Sequence, residues 1–224
     1  MSLEKFFNLF PETKAVLFDM DGTVIDSMWM WSSIDREFLE RTGKVYDPHF
    51  QKEIEGLSYR ETVAYFKERF HVEEDLTQLA ETLNNMAMYN YEKVVKFKPG
   101  AHDFLMELKA IGIKTGIATS NSAELVAACD RNLNLRGIFD TIRTTDMVER
   151  SKPFPDVYLL AARDISIAPE NCVVFEDIIP GLMAGRNAGM RIVAVQDDYS
   201  MDVDQQKREM ADYYIRDYKE LIGA

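Results

Sequence analysis

Residues 14–23 read Lys-Ala-Val-Leu-Phe-Asp-Met-Asp-Gly-Thr. The first five of these form a short β-branched and aromatic run that stops at Asp19. A run of this length with no polar alternation predicts a strand buried on both faces. Similar runs recur at 113–118, 172–176 and 191–195, with a weaker one at 141–145 and a short edge candidate at 213–215. Helical spacing lies between them. Residues 101–110 put Phe104, Leu105 and Leu108 on one face and stop at Gly112; residues 122–134 do the same with Leu125, Ala128, Cys129 and Leu133. Residues 156–164 open at Asp156 just after Pro155, and 180–188 open at Pro180 and end before Gly189. Proline in the first turn and glycine past the end are the expected helix punctuation. Strands alternating with helices require right-handed crossovers, so the expected fold class is α/β with a doubly wound, Rossmann-like parallel sheet.

The alternation fails once. Between residues 27 and 95 no convincing strand is found. Residues 28–41 place Trp31, Ile34, Phe38 and Leu39 on one helical face. Ser58-Tyr59-Arg60-Glu61 has the form of a capping box and opens a helix carrying Val63, Phe66 and Phe70. Glu73, Glu74 and Asp75 stand at the start of a further helix with Leu76, Leu79, Ala80 and Leu83. The expected division is a core of residues 1–26 and 96–224 with an all-helical cap at 27–95. An insert directly after the first strand lands at the carboxyl edge of the sheet, where open α/β folds bind ligands. That position suits a lid.

The chain has 224 residues and a formal net charge of -12. The acidic balance argues against nucleic acid, which needs clustered Lys and Arg, and against an anionic membrane surface. It leaves room for one phosphorylated small molecule held by a local cation. No apolar run approaches the roughly 18 residues of a membrane span. Cys129 and Cys172 lie in apolar segments and read as buried free thiols. With no secretory h-region at the N-terminus, a cytoplasmic location is expected. The oligomeric state is not specified by any of these patterns.

Four segments carry chemistry. In Asp19-Met20-Asp21-Gly22-Thr23, a turn past the strand end can bring both carboxylates to one site, one to attack phosphorus and one to move protons. Gly22 gives the backbone the freedom for such a turn and is counted with the substrate-binding residues. A solvated acidic turn is the competing reading. Thr119-Ser120-Asn121 offers hydroxyls and backbone N–H groups to phosphate oxygens at a strand-to-helix junction. Plain N-capping by Ser120, Asn121 or Ser122 competes. Lys152, in Ser151-Lys152-Pro153-Phe154-Pro155-Asp156, can neutralise a carboxylate and a phosphate, or be merely solvated. Glu176 and Asp177 close the strand at 172–176. With Asp19 and the Asp21 carbonyl they can form the oxygen-rich, octahedral site that Mg²⁺ prefers. All four segments fall at carboxyl ends of expected strands or in the loops beyond, and those ends share one edge of a parallel sheet.

In order and spacing, this combination resembles the haloacid dehalogenase superfamily of phosphatases and phosphomutases. The resemblance covers nearly the whole chain and rests on DxDGT at 19–23, Thr119, KPxPD at 152–156, and ED with a glycine-bearing helix at 176–181. It resembles the branch with a helical cap after the first strand, which includes phosphoglycolate phosphatase and β-phosphoglucomutase relatives. The resemblance implies that Asp19 is the nucleophile and Asp21 the general acid/base. Thr119 and Lys152 would hold the phosphoryl group. Asp19, the Asp21 carbonyl and Asp177 would hold magnesium, with Glu176 close by. Ile178 departs from the pattern, since many relatives carry Ser there. The implied activity is magnesium-dependent hydrolysis of a small phosphorylated metabolite through an aspartyl-phosphate. The rival is a sugar-phosphate mutase. Mutases of this family usually carry a His soon after DxDGT, and a Lys and Arg around a cap turn. Here Ser27-Met28-Trp29-Met30-Trp31 has no His, and Glu55 and Tyr59 stand where the Lys and Arg are expected. Trp29 and Arg60 are the cap residues expected to reach the substrate, with Trp31 assigned to packing.

Overall fold

The computed structural model describes residues 2–223. In chain order the elements are α1 (Glu4–Leu9), β1 (Ala15–Phe18), β2 (Ile25–Asp26), α2 (Met28–Arg41), α3 (Phe50–Glu53), α4 (Tyr59–Phe70) and α5 (Leu76–Lys93). There follow β3 (Lys96–Phe97), α6 (Ala101–Ala110), β4 (Lys114–Thr119), α7 (Ala123–Leu133), α8 (Leu135–Ile138) and β5 (Thr141–Thr144). The chain ends with α9 (Asp156–Asp164), β6 (Cys172–Glu176), α10 (Ile179–Asn187), β7 (Arg191–Val195), α11 (Asp204–Met210) and β8 (Tyr213–Ile215).

Six strands form one sheet in the order β5-β4-β1-β6-β7-β8, and every neighbouring pair is parallel. β1 sits inside it, which is why its residues alternate between two cores rather than between core and water. Val16 and Phe18 join one apolar cluster, and Ala15 and Leu17 join the other. Beneath the strand ends, Phe18 stacks on Phe175 with ring centroids 5.1 Å apart, and Phe175 stacks on Tyr218 at 5.5 Å. Such pairs add about 0.5–1.5 kcal/mol each beyond area burial. They back the carboxyl ends of β1 and β6 with packed rings.

The helices α2–α5 all fall between β2 and β3, the span read as a cap. β2 and β3 are a two-residue antiparallel ladder pairing Ile25 with Phe97 and Asp26 with Lys96. They join the two places where the chain leaves and re-enters the core. So short a ladder has no readable periodicity. The capping box is formed: Ser58 Oγ accepts from the Glu61 amide at 3.2 Å, and the Ser58 amide donates to Glu61 Oε2 at 2.7 Å. Glu73 and Glu74 lie before α5 rather than in its first turn, and Asp75 caps it through bonds from Thr77 N and Gln78 N. α1 is an element the sequence patterns did not mark. It is only six residues long, and its Phe6 packs against Phe104 at 5.3 Å. Cys129 and Cys172 are buried free thiols. Among the described residues, no helix is long and apolar enough to cross a membrane.

Candidate active site

Asp19 continues β1 by one residue, its amide donating to Phe175 O at 3.0 Å. The chain then folds sharply. Val24 N and Ile25 N both donate to Met20 O at 3.0 Å, and Gly22 N donates to Ile25 O at 2.9 Å. Gly22 has φ +77, and a Cβ there would overlap Asp177 Oδ2. Only glycine meets both demands. Gly22, expected to touch substrate, therefore admits Asp177 to the site and does not line the cavity.

Lys152 reaches the same place from the loop after β5. Its Nζ donates to Asp19 Oδ1 and to Glu176 Oε1, each at 2.6 Å, and all three side chains are buried. Tyr158 on α9 donates a further bond to Glu176 Oε1 at 2.7 Å. Thr23 Oγ1 donates to Asp177 Oδ1 at 2.9 Å. Glu176 Oε2 and Asp177 Oδ2 remain buried without a hydrogen-bond partner. Gly181, in the first turn of α10, leaves no room for a Cβ beside the Glu176 carboxyl.

Ligand oxygens of Asp19, Glu176 and Asp177 lie within 4.8 Å of one another. Three carboxylates face one ammonium. Burial pushes the Asp19 carboxyl well above its usual range, against the pull of Lys152. Burial, then the Glu176 and Asp197 charges, push Asp177 up to about 8. Burial alone would lower the Lys152 pKa, but Asp19 and Glu176 outweigh it and raise it. Two orphaned carboxylate oxygens, an excess of negative charge and a glycine-walled cradle fit a hard divalent cation.

Asp21 turns the other way. Its Oδ1 accepts from Ser27 Oγ at 2.6 Å and from the Tyr91 hydroxyl, and its Oδ2 accepts from Asn121 Nδ2 at 3.0 Å. Its carboxylate is thus apart from the acidic triad. Burial raises its pKa, and the Ser27, Tyr91 and Asn121 donors offset part of the rise.

Thr119 is the last residue of β4 rather than the first beyond it, and its Oγ1 accepts from Asn121 N at 3.1 Å. Ser122 is the residue that caps α7, accepting from Leu125 N at 3.2 Å. Capping therefore does not account for Ser120. Its Oγ is buried without a partner and lines the cavity.

The cavity has a volume of about 150 Å³. Asp19, Asp21, Thr119, Ser120, Asn121 and Lys152 line one side, at the sheet edge, and Trp31, Gln51, Leu57, Tyr59 and Phe66 are among those that line it from the segment between β2 and β3. Two expectations fail here. Trp29 is 51% exposed, with Nε1 donating to Asp26 O at 3.1 Å. Met28, Trp31 and Asp35 line the cavity at helical i, i+3, i+7 spacing, which leaves Trp29 about 100° round the helix. Trp31, assigned to packing, does pack on the apolar cluster and lines the cavity as well. Arg60 is exposed for the same reason: α4 presents Tyr59, Thr62, Val63 and Phe66 to the cavity. Sequence reasoning also missed Tyr91, Tyr158, Asp35 and Gln51. Only Asp35 carried a signal, as a charge within the apolar stripe of α2.

A profile of the haloacid dehalogenase-like hydrolases matches residues 16–195. The chain belongs to this family. Relatives of this haloacid dehalogenase-like chain include the phosphorylated carbohydrates phosphatase of Thermotoga maritima, 30% identical over 177 residues, covering 79% of this chain and 82% of that one. Hexitol phosphatase A of Escherichia coli is 31% identical over 196 residues, covering 81% and 82%. Among solved structures, CbbY of Rhodobacter sphaeroides in complex with phosphate superposes with a TM-score of 0.82 at 27% identity, covering 93% of this chain and 96% of that one. A variant of CbbY was solved with xylulose-1,5-bisphosphate.

Proposed function

We propose that this haloacid dehalogenase-like hydrolase is a phosphatase that cleaves a small phosphomonoester through an aspartyl-phosphate on Asp19. The single observation carrying this reading is the buried Asp19–Lys152–Glu176 arrangement on the cavity wall, with Asp21 on a separate hydrogen-bond set beside it. Residues 27–95 act as the lid. The phosphatase names of the Thermotoga and Escherichia relatives support the same chemistry.

The Asp19 carboxylate attacks phosphorus as the bond to the leaving oxygen breaks. Asp21, protonated at that moment, gives its proton to that oxygen. Desolvation of Asp21 favours the protonated form. Asp21 then takes a proton from water, whose oxygen attacks phosphorus. Inorganic phosphate leaves and Asp19 is restored. Lys152 holds charge on the Asp19 side, and Thr119 and Ser120 offer hydroxyls to phosphoryl oxygens. Asp19, the Asp21 carbonyl and Asp177, with Glu176 beside them, are the groups that would hold Mg²⁺, which supplies electrostatic stabilisation of phosphoryl charge when bound.

Water is the acceptor in this reading. A mutase must also hold a second phosphate, and among the described residues Lys152 is the only Lys or Arg on the cavity wall. The test is phosphate release from p-nitrophenyl phosphate with Mg²⁺, compared between the native chain and Asp19→Asn. A loss of several orders of magnitude is expected. Near-native turnover by Asp19→Asn would sink the assignment.

A further inference from the structure

The cap side of the cavity is apolar around Trp31, Leu57, Val63 and Phe66, and Asp35 interrupts it. Asp35 is 5% exposed and lies on the α2 stripe that faces the cavity. Its Oδ2 accepts from Gln51 Nε2, and Gln51 is its only hydrogen-bond partner among the described residues. A carboxylate has about four acceptor positions, so one neutral donor leaves most of them unfilled. Burying it this way is costly, and an apolar residue would pack better in the stripe. The other charged residue on the cap side is Glu55, also a carboxylate, paired with Lys52 Nζ at 3.0 Å. Lys52 itself does not line the cavity. A second phosphate or a carboxylate on the substrate would therefore meet two carboxyl groups and, among the described residues, no cation on that side. Among the described residues the one cation on the cavity wall, Lys152, is already shared by Asp19 and Glu176.

We infer that Asp35 and Gln51 form the leaving-group site, and that it selects a monophosphate whose alcohol half carries no negative charge, lays an apolar face on Trp31 and Phe66, and points a hydroxyl or ammonium donor at Asp35. This rests on the phosphatase reading above. Burial holds the Asp35 carboxyl near neutrality, at about 7. An arriving donor fixes it as the carboxylate and satisfies Oδ1. Gln51, which also lines the cavity, holds that carboxylate through Oδ2.

The test measures kcat/KM with Mg²⁺ for five probes. p-Nitrophenyl phosphate reports bare phosphatase activity. A hexitol 6-phosphate and 2-aminoethyl phosphate carry the donor. Fructose 1,6-bisphosphate and 3-phosphoglycerate carry a second anion. At least one donor-bearing probe is expected to exceed both anionic probes by tenfold or more, and which of the two wins identifies the donor. Equal or better turnover of either anionic probe overturns the inference. Asp35→Asn should lower kcat/KM for the preferred probe about 10- to 100-fold more than for p-nitrophenyl phosphate, as expected for loss of a hydrogen bond to a charged group. An equal fall on both substrates overturns it as well. The native-chain comparison is complete without the variant, should that variant fold poorly. Absence of any p-nitrophenyl phosphate turnover overturns the phosphatase reading itself, a different result from turnover with anionic preference.

Discussion

Tyr91, near the end of α5, donates its phenolic hydrogen to Asp21 Oδ1, so a residue of the inserted helices bonds directly to the proposed proton carrier of the core. Both partners are also bound to Asn121, with Nδ2 at 3.0 Å from Asp21 Oδ2 and 2.6 Å from the Tyr91 hydroxyl. A donor to the carboxylate favours its ionised form. Tyr91→Phe removes that donor and should move the Asp21 pKa further up. The protonated acid then survives to higher pH, and the alkaline limb of kcat/KM should shift up with it. A pH–rate profile of the variant checks this. An unmoved limb would show that Tyr91 does not act through Asp21.

Gly181 stands against the Glu176 carboxyl with no space for a methyl group. Gly181→Ala should push Glu176 off its bonds to Lys152 and Tyr158. The helix position itself tolerates alanine, which has the better helix propensity. The expected result is a fold that survives with turnover reduced about 100-fold or more. Circular dichroism alongside phosphate release separates the two effects. Retained turnover in Gly181→Ala would mean that the position of Glu176 is not critical.

The sheet was legible because its inner strands are buried on both faces, and runs such as 172–176 and 191–195 then need no alternation to be seen. Those two strands have the expected bounds. The candidate site residues from the sheet were legible for a related reason: they end strands or lie in the loops beyond, and strand ends in a parallel sheet converge. The helices between β2 and β3 were harder. They are visible from periodicity, but which stripe faces the cavity depends on how each helix is rotated against the sheet edge. Trp29 and Trp31 differ by two positions and lie on opposite sides of that choice. Tyr91 and Tyr158 could not be singled out, because a lone tyrosine at an apolar helical position looks like packing until its hydroxyl is seen to meet a carboxylate.

Magnesium should stabilise the fold as well as support turnover. The orphaned Glu176 Oε2 and Asp177 Oδ2, beside Asp19, would gain a partner from a bound cation. At a free ion concentration of about 100 Kd the gain is about 2.7 kcal/mol. For a chain of this size that corresponds to a Tm rise of about 5–10 °C. Thermal melts with excess EDTA and with millimolar Mg²⁺ measure it, and chelation should abolish phosphate release. An unchanged Tm across that range would count against the triad as the cation site.

Asp35 should leave a mark on the pH dependence of stability. Its carboxyl stands at about 7 in the fold against an ordinary 3.8, because burial disfavours the charge and the Gln51 bond only partly compensates. Between about pH 4 and pH 7 the native state therefore keeps a proton that the unfolded state has released. Stability must fall as pH rises through that window, and the loss is complete once the native carboxyl has also ionised. At about 1.4 kcal/mol per unit the loss is at most about 4 kcal/mol. Asn at this position cannot titrate, and any fixed cost of the substitution is the same at every pH. The stability of Asp35→Asn relative to the native chain should then rise between pH 5 and pH 8 by about 2–3 kcal/mol, read from urea midpoints at each pH. Parallel pH profiles for the two proteins would mean that Asp35 is solvated or otherwise paired in solution, and would remove the buried, unfilled carboxylate on which the leaving-group site depends.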